Sequence, residues 1–329
     1  MHSSEFNFIV GIGRSGTSLL MSIFNSHTKV QSTPEINFFV FFYNAWKHKK
    51  KFDDSDIEKI HKYLKSYKNN HTSIKFDFDY FNKTENANFR ELYSNFYKSL
   101  FYGNGRKECS HYFDKNPINT LHIDDIISVF PNAKFLLMTR DPRANYLSRK
   151  EKKNKRTSEI YYNSLRWDYY TKSAIHYYKK YPNNFFILKY EDLVNDPELW
   201  LKEIAHYFNF NFESSMLDFN KNIIENVIKA NPAVNKEVRL NEKYSDLSKP
   251  INKERVNSWQ AKLSKEEIDI INYITIESAS FFGYDIHNRG ISSANKIKLF
   301  VSKIKFCIST MKNYFENNAP LFLKLRAMS

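Results

Sequence analysis

The chain has 329 residues, of which 42% are hydrophobic and 17% aromatic, so it is long and apolar enough to bury a core. Its formal charge of +14 favours an anionic partner, but composition does not choose among nucleic acid, acidic lipid and a polyanionic small molecule. Two cysteines exclude a disulfide framework and fit a reducing, cytoplasmic compartment. We expect no cleavable leader and no transmembrane helix, because no run of about 18 apolar residues occurs, and therefore a soluble protein.

Strands and helices alternate in the predicted order of elements. Short apolar runs predict strands over residues 6–10, 134–139 and 184–189, and residues 30–33 are a candidate second strand. Helical periodicity predicts helices after the first run, from Pro34 to about residue 50, from Asp141-Pro142, from Asp196-Pro197, and over residues 264–282. Such alternation predicts an α/β fold with a central parallel sheet flanked by helices on both faces.

Two regions fall outside this alternation. Residues 36–105 are aromatic and charged with no strong strand signal, so we interpret them as a helical insertion or cap over the sheet. Residues 291–329 are basic and amphipathic, and follow a main domain that we place at residues 1–290. This tail is either a helix docked on the domain or a helix for peripheral contact with a membrane or a partner.

A glycine-rich segment, Gly11 to Ser18, lies between the first predicted strand and its helix. The backbone N–H groups of such a loop, with the helix N-terminus, bind a phosphate-like anion. In ATP- and GTP-binding loops a lysine would stand where this chain has Thr17, and the nearest cation is Arg14. No apolar strand ending in a Mg²⁺-binding aspartate accompanies it, so we predict no metal and no ATPase chemistry. A purely structural turn is the alternative.

The segment from Arg14 to Ser18 resembles the loop with which sulfotransferases bind the 5′-phosphosulfate of 3′-phosphoadenosine 5′-phosphosulfate (PAPS). The resemblance implies a P-loop nucleotide hydrolase-like three-layer fold. It also implies that five consecutive residues hold the 5′-phosphosulfate: Arg14, Ser15, Gly16, Thr17 and Ser18.

A second anion-binding element follows the strand at 134–139. Arg140 ends that strand and Ser148 comes eight residues later, a spacing similar to the element of sulfotransferases that binds the 3′-phosphate. The planar fork of arginine suits this task because it donates two parallel hydrogen bonds to phosphate. The basic run at 149–156 is typical of a solvated helix face, although its position makes Lys152 a further candidate contact.

Transfer to a hydroxyl requires a base for its proton and positive charge near the leaving oxygen. Residues 14–35 are similar, without gaps, to tyrosylprotein sulfotransferases, whose catalytic glutamate falls at the position of Glu35. The alternatives are that Glu35 only caps the following helix, or that His27 or His111 is the base. Lys115 matches the family's Lys-x-Pro element, which implies that it and Arg14 stabilise the departing phosphate; an ordinary surface lysine is the alternative.

Further blocks extend the resemblance to about residue 290. Tyr190 stands where the family has a tyrosine near the cofactor, and residues 249–259 and 282–285 resemble the cofactor-covering loop and final helix. Ser258 replaces a lysine of the tyrosylprotein members, whose loop serine would fall near residues 243–245.

We therefore predict a metal-independent sulfotransferase with PAPS as co-substrate and adenosine 3′,5′-bisphosphate as product. The acceptor is a hydroxyl of a protein tyrosine, a carbohydrate or a small molecule, with no nucleic-acid partner expected. The alternatives are a P-loop kinase of a small molecule and a basic nucleic-acid- or membrane-binding module. The sequence leaves the oligomeric state open.

Overall fold

The computed structural model describes residues 5–68, 75–101, 109–152, 159–220 and 251–328. Its centre is a parallel sheet in the spatial order β2-β5-β1-β6-β7. These strands are β1 (Glu5–Gly11), β2 (Val30–Thr33), β5 (His111–Lys115), β6 (Phe135–Thr139) and β7 (Phe185–Lys189). A separate antiparallel pair joins β3 (Lys75–Phe76) to β4 (Leu100–Phe101). The predicted α/β class with a central parallel sheet is confirmed.

The sheet is buried on both faces because successive side chains of each strand point in opposite directions. In β1, Phe8 and Val10 enter one hydrophobic cluster, whereas Ile9 between them enters the other. In β6, Leu137 and Met138 divide between the same two clusters. Two layers of helix are therefore needed to cover the sheet.

Each helical layer has its own members. The first layer is α1 (Thr17–Asn25), α9 (Tyr190–Asn195) and α10 (Pro197–Phe208). The opposite layer contains α2 (Phe38–Trp46), α5 (Phe89–Ser99), α6 (Ile123–Val129), α8 (Ile160–Lys180) and α12 (Lys265–Phe281). The remaining α-helices of the described residues are α3 (Asp54–Lys68), α4 (Phe78–Lys83), α7 (Pro142–Lys150), α11 (Glu254–Lys262), α13 (Ser293–Asn318) and α14 (Leu321–Arg326).

The order of the strands determines where a ligand can bind. The chain leaves β1 through α1 toward β2 on one side, and leaves β6 toward β7 on the other. The neighbouring strands β1 and β6 therefore flank a topological switch point, where a crevice opens at the carboxyl edge of a parallel sheet. The glycine loop after β1 and Arg140 after β6 both lie at this edge.

The structure corrects three predictions about local elements. The strand β5 was not predicted, because only two of its five buried residues, Tyr112 and Phe113, are apolar. The insertion is not wholly helical, since it contains β3 and β4. The helix expected from Pro34 begins at Phe38, with Asn37 at its N-cap position.

The C-terminal helix α13 packs against α8 of the domain. Leu299 is buried, and the buried Asn295 accepts a hydrogen bond from Tyr161 Oη at 2.9 Å. Lys324 of α14 donates to the backbone oxygen of Phe41 at 2.8 Å, which ties the end of the tail to α2. In the part of the chain that the structure describes, no helix has the length and apolarity needed to cross a bilayer.

Candidate active site

The glycine loop after β1 has a backbone that ordinary residues rarely adopt. Gly11 has φ +119°, and a Cβ there would lie 2.1 Å from the Met138 carbonyl oxygen, so a side chain is sterically excluded. Gly16 has φ +91°, and its Cβ would lie 2.6 Å from the Tyr190 ring. Arg14 also has positive φ, at 75°. These left-handed residues turn the loop tightly before α1 begins at Thr17.

Side chains from neighbouring elements hold this loop in place. Thr120 Oγ1 accepts from the backbone N–H of Gly11 at 2.7 Å. Asn145 of α7 donates to the Gly13 carbonyl oxygen at 3.1 Å and to Ser15 Oγ at 3.2 Å. Arg149, one turn later on the same helix, donates to the Gly13 carbonyl oxygen at 2.8 Å. The loop therefore has its shape before any ligand binds.

Arg149 differs from the prediction of a solvated run at 149–156. Its side chain is buried, and burial, with the nearby Arg166 and Arg14, lowers the pKa of its guanidinium to about 9. The available signal was the four-residue spacing from Asn145, which places both side chains on one helix face. The run is solvated next to it, at Lys150 and Glu151, and its last four residues lie outside the described residues.

The structure brings the two anion-binding elements together. Arg14 of the loop donates to Ser148 Oγ from Nε at 3.0 Å and from Nη2 at 2.8 Å. Arg140 donates from Nη1 to the Arg14 carbonyl oxygen at 3.2 Å. The cations expected to bind the two ends of one nucleotide therefore share one crevice, with Ser148 contacting Arg14.

Arg140 has an environment that favours an anionic ligand. Its guanidinium is buried, lies 4.2 Å from the centre of the Tyr190 ring, and donates to the Arg255 carbonyl oxygen at 3.1 Å. Among the described residues it forms no ion pair, and its Nε has no hydrogen-bond partner. Burial lowers the pKa of Arg140. A buried cation without a direct ion pair is costly, so a phosphate at this position would fit the site.

Glu35 and Lys115 form an ion pair beside the loop. Lys115 Nζ lies 3.1 Å from Glu35 Oε1; the lysine side chain is 4% exposed and the glutamate side chain 51%. Lys115 is the last residue of β5 and is paired in register with Ile9 of β1. A Cβ on Gly13 of the loop would lie 3.9 Å from Pro117 Cγ, so the Lys-x-Pro element packs against the loop.

Hydrogen bonds from Asn116 hold the segment that carries Glu35. The Asn116 amide donates to the Ile36 carbonyl oxygen at 3.2 Å and to Asn37 Oδ1 at 2.7 Å. Glu35 precedes the N-cap residue of α2 and lies outside the helix, so the interpretation of Glu35 as a helix cap is wrong. Its carboxylate instead points toward the lysine of the neighbouring strand.

The two rival histidines lie away from this edge of the sheet. His27 follows the end of α1 and is buried, with Nε2 2.7 Å from the Asn211 carbonyl oxygen and Nδ1 accepting from Lys29 N at 2.9 Å. His111 is the first residue of β5, whereas Lys115 is its last. Because the strand is parallel to β1, His111 stands at the edge opposite the glycine loop.

The other residues predicted to contact the cofactor differ in their exposure to solvent. Thr17 is buried in the first turn of α1, whereas Ser18 next to it is exposed. Lys152 is exposed and lies two residues beyond the end of α7. From the C-terminal segment, Trp259 packs against the guanidinium of Arg143 at 3.9 Å. The proposed loop serine near residues 243–245 lies outside the described residues.

The comparisons with known proteins agree with this architecture. Residues 7–214, more than half of the chain, match the family model described as the sulfotransferase family. The chain belongs to the sulfotransferase family.

A relative from Caenorhabditis briggsae, which carries the provisional name protein-tyrosine sulfotransferase, is 24% identical over 179 residues. The match covers 52% of this chain and 60% of the relative. The sulfotransferase domain of the Synechococcus PCC 7002 olefin synthase is similar in structure, with a TM-score of 0.57 at 16% identity, over 87% of this chain and 98% of that domain. The sulfotransferase domain from the curacin biosynthetic pathway gives a TM-score of 0.51 at 14% identity, over 87% and 99%. These two likenesses show the shared fold.

Proposed function

We propose that this protein transfers the sulfuryl group of PAPS to an acceptor hydroxyl. The observation that carries the proposal is the Glu35–Lys115 ion pair, with 3.1 Å between Lys115 Nζ and Glu35 Oε1. It lies at the edge of the sheet where the glycine loop follows β1 and where Arg14 contacts Arg140. A base, a buried ammonium and two guanidinium groups are the set that this chemistry needs.

Arg140 and the glycine loop would bind the two ends of the nucleotide. The N-terminus of α1 and the backbone N–H groups of residues 14–18 would hold the 5′-phosphosulfate. Arg140 would hold the 3′-phosphate, with Ser148 nearby, and the Tyr190 ring stacked on its guanidinium restricts its orientation. Lys152 and Ser18, both exposed, would contribute at most outer contacts.

Glu35 would accept the proton of the acceptor hydroxyl as the new sulfur–oxygen bond forms. The bond between sulfur and the bridging oxygen of the 5′-phosphate breaks in the same displacement, and adenosine 3′,5′-bisphosphate leaves. Lys115 and Arg14 would stabilise the negative charge that develops on this oxygen. Lys115 must then turn from Glu35 toward the phosphate, which frees the carboxylate to act as the base.

The acceptor would approach from the side of Glu35, whose carboxylate is half exposed. The segment after it, α2, packs with α5 into an aromatic part of the core, in which the buried rings of Phe38 and Phe96 stack at 3.9 Å. A protein tyrosine, a carbohydrate and a small molecule are all compatible with this setting. The name of the Caenorhabditis briggsae relative makes a tyrosine-containing peptide the first acceptor to test.

Calorimetric titration with adenosine 3′,5′-bisphosphate tests the binding half of the proposal, and transfer of ³⁵S from labelled PAPS to a panel of hydroxyl acceptors tests the chemical half. ATP with Mg²⁺ in place of PAPS is the control for a small-molecule kinase, which Thr17 at the lysine position argues against. We expect saturable nucleotide binding and no phosphate transfer. Absence of any affinity for the bisphosphate would overturn the proposal.

A further inference from the structure

The helix α13 presents two different faces. Its inner face is docked: Leu299 is buried, Asn295 donates to Glu266 at 2.8 Å, and the Phe306 ring lies 5.4 Å from that of Tyr162. Its outer face is apolar. This face carries six exposed residues: Ile297, Val301, Ile304, Ile308, Met311 and Phe315.

These six residues, which we call the outer stripe, form a continuous line. Their spacing alternates between four and three residues, so they share one side of the helix over about 27 Å. Each is at least 43% exposed, and Ile297 is 67% exposed. Phe322 and Leu323 of α14 add exposed apolar surface beyond the end of the stripe. A contiguous exposed patch of this kind marks an interaction site.

The charges beside the outer stripe are positive except at its C-terminal end, where Glu316 follows Phe315 and pairs with Lys312 at 3.6 Å. Lys298, Lys305 and Lys312 each follow a stripe residue directly and are exposed, which makes a row of ammonium groups parallel to the stripe. Lys296 and Lys303 are exposed on the same helix, and Glu316 is the sole acidic residue within α13. An apolar stripe flanked by lysines complements a surface that is apolar inside and anionic at its boundary.

The same charges disfavour a second copy of this chain as the occupant. In an antiparallel pairing of two α13 helices through the stripe, the lysine row of one helix would face that of the other. In a parallel pairing it would face Phe300, Cys307 and Tyr314, none of which is acidic. Glu316 already pairs with Lys312 of its own helix, so three or more lysines would face a single carboxylate in the antiparallel arrangement and no acidic residue in the parallel one.

We propose that α13 docks the protein on an anionic membrane surface, lying in the plane of the interface with the outer stripe inserted among the lipid headgroups. The lysine row then meets acidic lipid phosphates and carboxylates. The helix stays on one leaflet, because its lysines and its docked inner face prevent it from spanning the bilayer.

Binding to vesicles tests the proposal without reference to enzymatic activity. The full chain is mixed with vesicles of phosphatidylcholine containing about a third phosphatidylserine, and with vesicles of phosphatidylcholine alone. An environment-sensitive fluorophore on the exposed Cys307, beside the stripe, reports insertion, since Cys109 is buried. We expect co-sedimentation and a blue shift with the anionic vesicles only.

Two variants separate the apolar and the charged contributions. Ile304→Ser with Ile308→Ser should lower the vesicle partition coefficient about tenfold or more. Replacing Lys298, Lys305 and Lys312 by Gln should lower it on the order of a hundredfold. Because all five side chains are exposed, circular dichroism and thermal unfolding should be unchanged.

Matched controls carry the same chemical changes elsewhere. Leu199→Ser alters an apolar side chain 49% exposed on α10, and Gln at Lys51, Lys83 and Lys202 removes three exposed charges from elements other than α13. Neither control should change the partition coefficient more than about twofold. The proposal fails if the unmodified protein does not bind anionic vesicles, or if both triple lysine substitutions lower the partition coefficient equally. It also fails if light scattering shows a dimer that the Ile304→Ser, Ile308→Ser variant dissociates.

Discussion

Glu35 and Lys115 come from segments 80 residues apart, and each depends on the other's position. Lys115 is buried at the end of a strand, where a lysine without a partner would be costly. Glu35 supplies the opposite charge and is itself held by a backbone that Asn116 braces. The two side chains therefore satisfy each other's charge, and the proposed mechanism requires them to separate when the phosphate reaches the lysine.

Glu35→Gln should abolish turnover while leaving the dissociation constant of adenosine 3′,5′-bisphosphate nearly unchanged. General base catalysis contributes about 10²–10⁴-fold, so kcat should fall by at least that factor. Glu58→Gln, at an exposed position of α3, is the matched control and should keep full activity. A Glu35→Gln enzyme with undiminished kcat would show that the base is another group.

Arg140→Ala should weaken binding of adenosine 3′,5′-bisphosphate through loss of a contact worth about 1.5–3 kcal/mol. Because Arg140 also contacts the loop through the Arg14 carbonyl oxygen, affinity for adenosine 5′-phosphate should be measured in parallel. If Arg140 contacts the 3′-phosphate, the substitution should remove most of the preference for the bisphosphate over adenosine 5′-phosphate. If both nucleotides weaken by the same factor, Arg140 acts only by supporting the loop.

At the scale of elements, α7 is the support for the glycine loop. Its Asn145 and Arg149 both reach the Gly13 carbonyl oxygen, whereas Lys150, the next residue, is exposed and pairs with Glu267 at 2.7 Å. Arg149 and Lys150 are thus adjacent basic residues with different roles, because the first is buried against the loop and the second is exposed.

Arg149→Met should lower the free energy of unfolding by about 1–3 kcal/mol, because the half-buried Gly13 carbonyl oxygen loses its charged donor and keeps only Asn145. Lys150→Met removes a charge from the neighbouring, exposed position and should cost less than about 1 kcal/mol. Urea unfolding of the two variants measures both values. Equal effects would mean that Arg149 is as solvated as the sequence predicts.

The strand β5 is connected to α5 by a buried carboxyl group. Asp114 Oδ2 accepts hydrogen bonds from Tyr93 Oη and from the Asn119 amide, each at 2.7 Å. Burial raises the pKa of Asp114 from 3.8 to about 6, although these hydrogen bonds act in the opposite direction. Folding therefore favours the protonated form of this side chain.

The contribution of Asp114 to stability should be greatest below about pH 4 and should be lost as pH rises through about 6. Asp114→Asn cannot ionise and retains an acceptor for both donors. The unfolding free energy of the natural protein minus that of the variant should fall by about 2 kcal/mol between about pH 4 and pH 7, since one pKa unit is about 1.36 kcal/mol. Urea titrations across this range measure the difference, and Asp79→Asn, at an exposed position, should show none.

At the scale of the whole molecule, the charge of +14 should accelerate association with an anionic nucleotide. Raising the salt concentration from about 0.05 to 0.5 M should slow association of adenosine 3′,5′-bisphosphate several-fold, with a smaller effect on dissociation. Stopped-flow measurements separate the two rates, and uncharged adenosine is the control ligand. A salt effect confined to dissociation would place the electrostatic contribution in the bound complex alone.

Much of the architecture could be predicted because local patterns decide it. Apolar runs indicated β1, β6 and β7, and Asp141-Pro142 and Asp196-Pro197 indicated the starts of α7 and α10. The strand β5 was not predicted, because its polar residues His111, Asp114 and Lys115 are buried by tertiary contacts that the hydrophobicity pattern does not reveal.

By itself, the sequence determined the fold class, the family, and the types of residue at the proposed site, since loop chemistry and strand periodicity are local properties. Only the tertiary structure decided that Glu35 stands outside its helix against Lys115, that Arg149 is buried under the loop, and that α13 is docked with its outer stripe exposed. These depend on which strands become neighbours and which helix face finds a partner. Such long-range choices are made by the packing of the whole chain, and no local window of residues contains them.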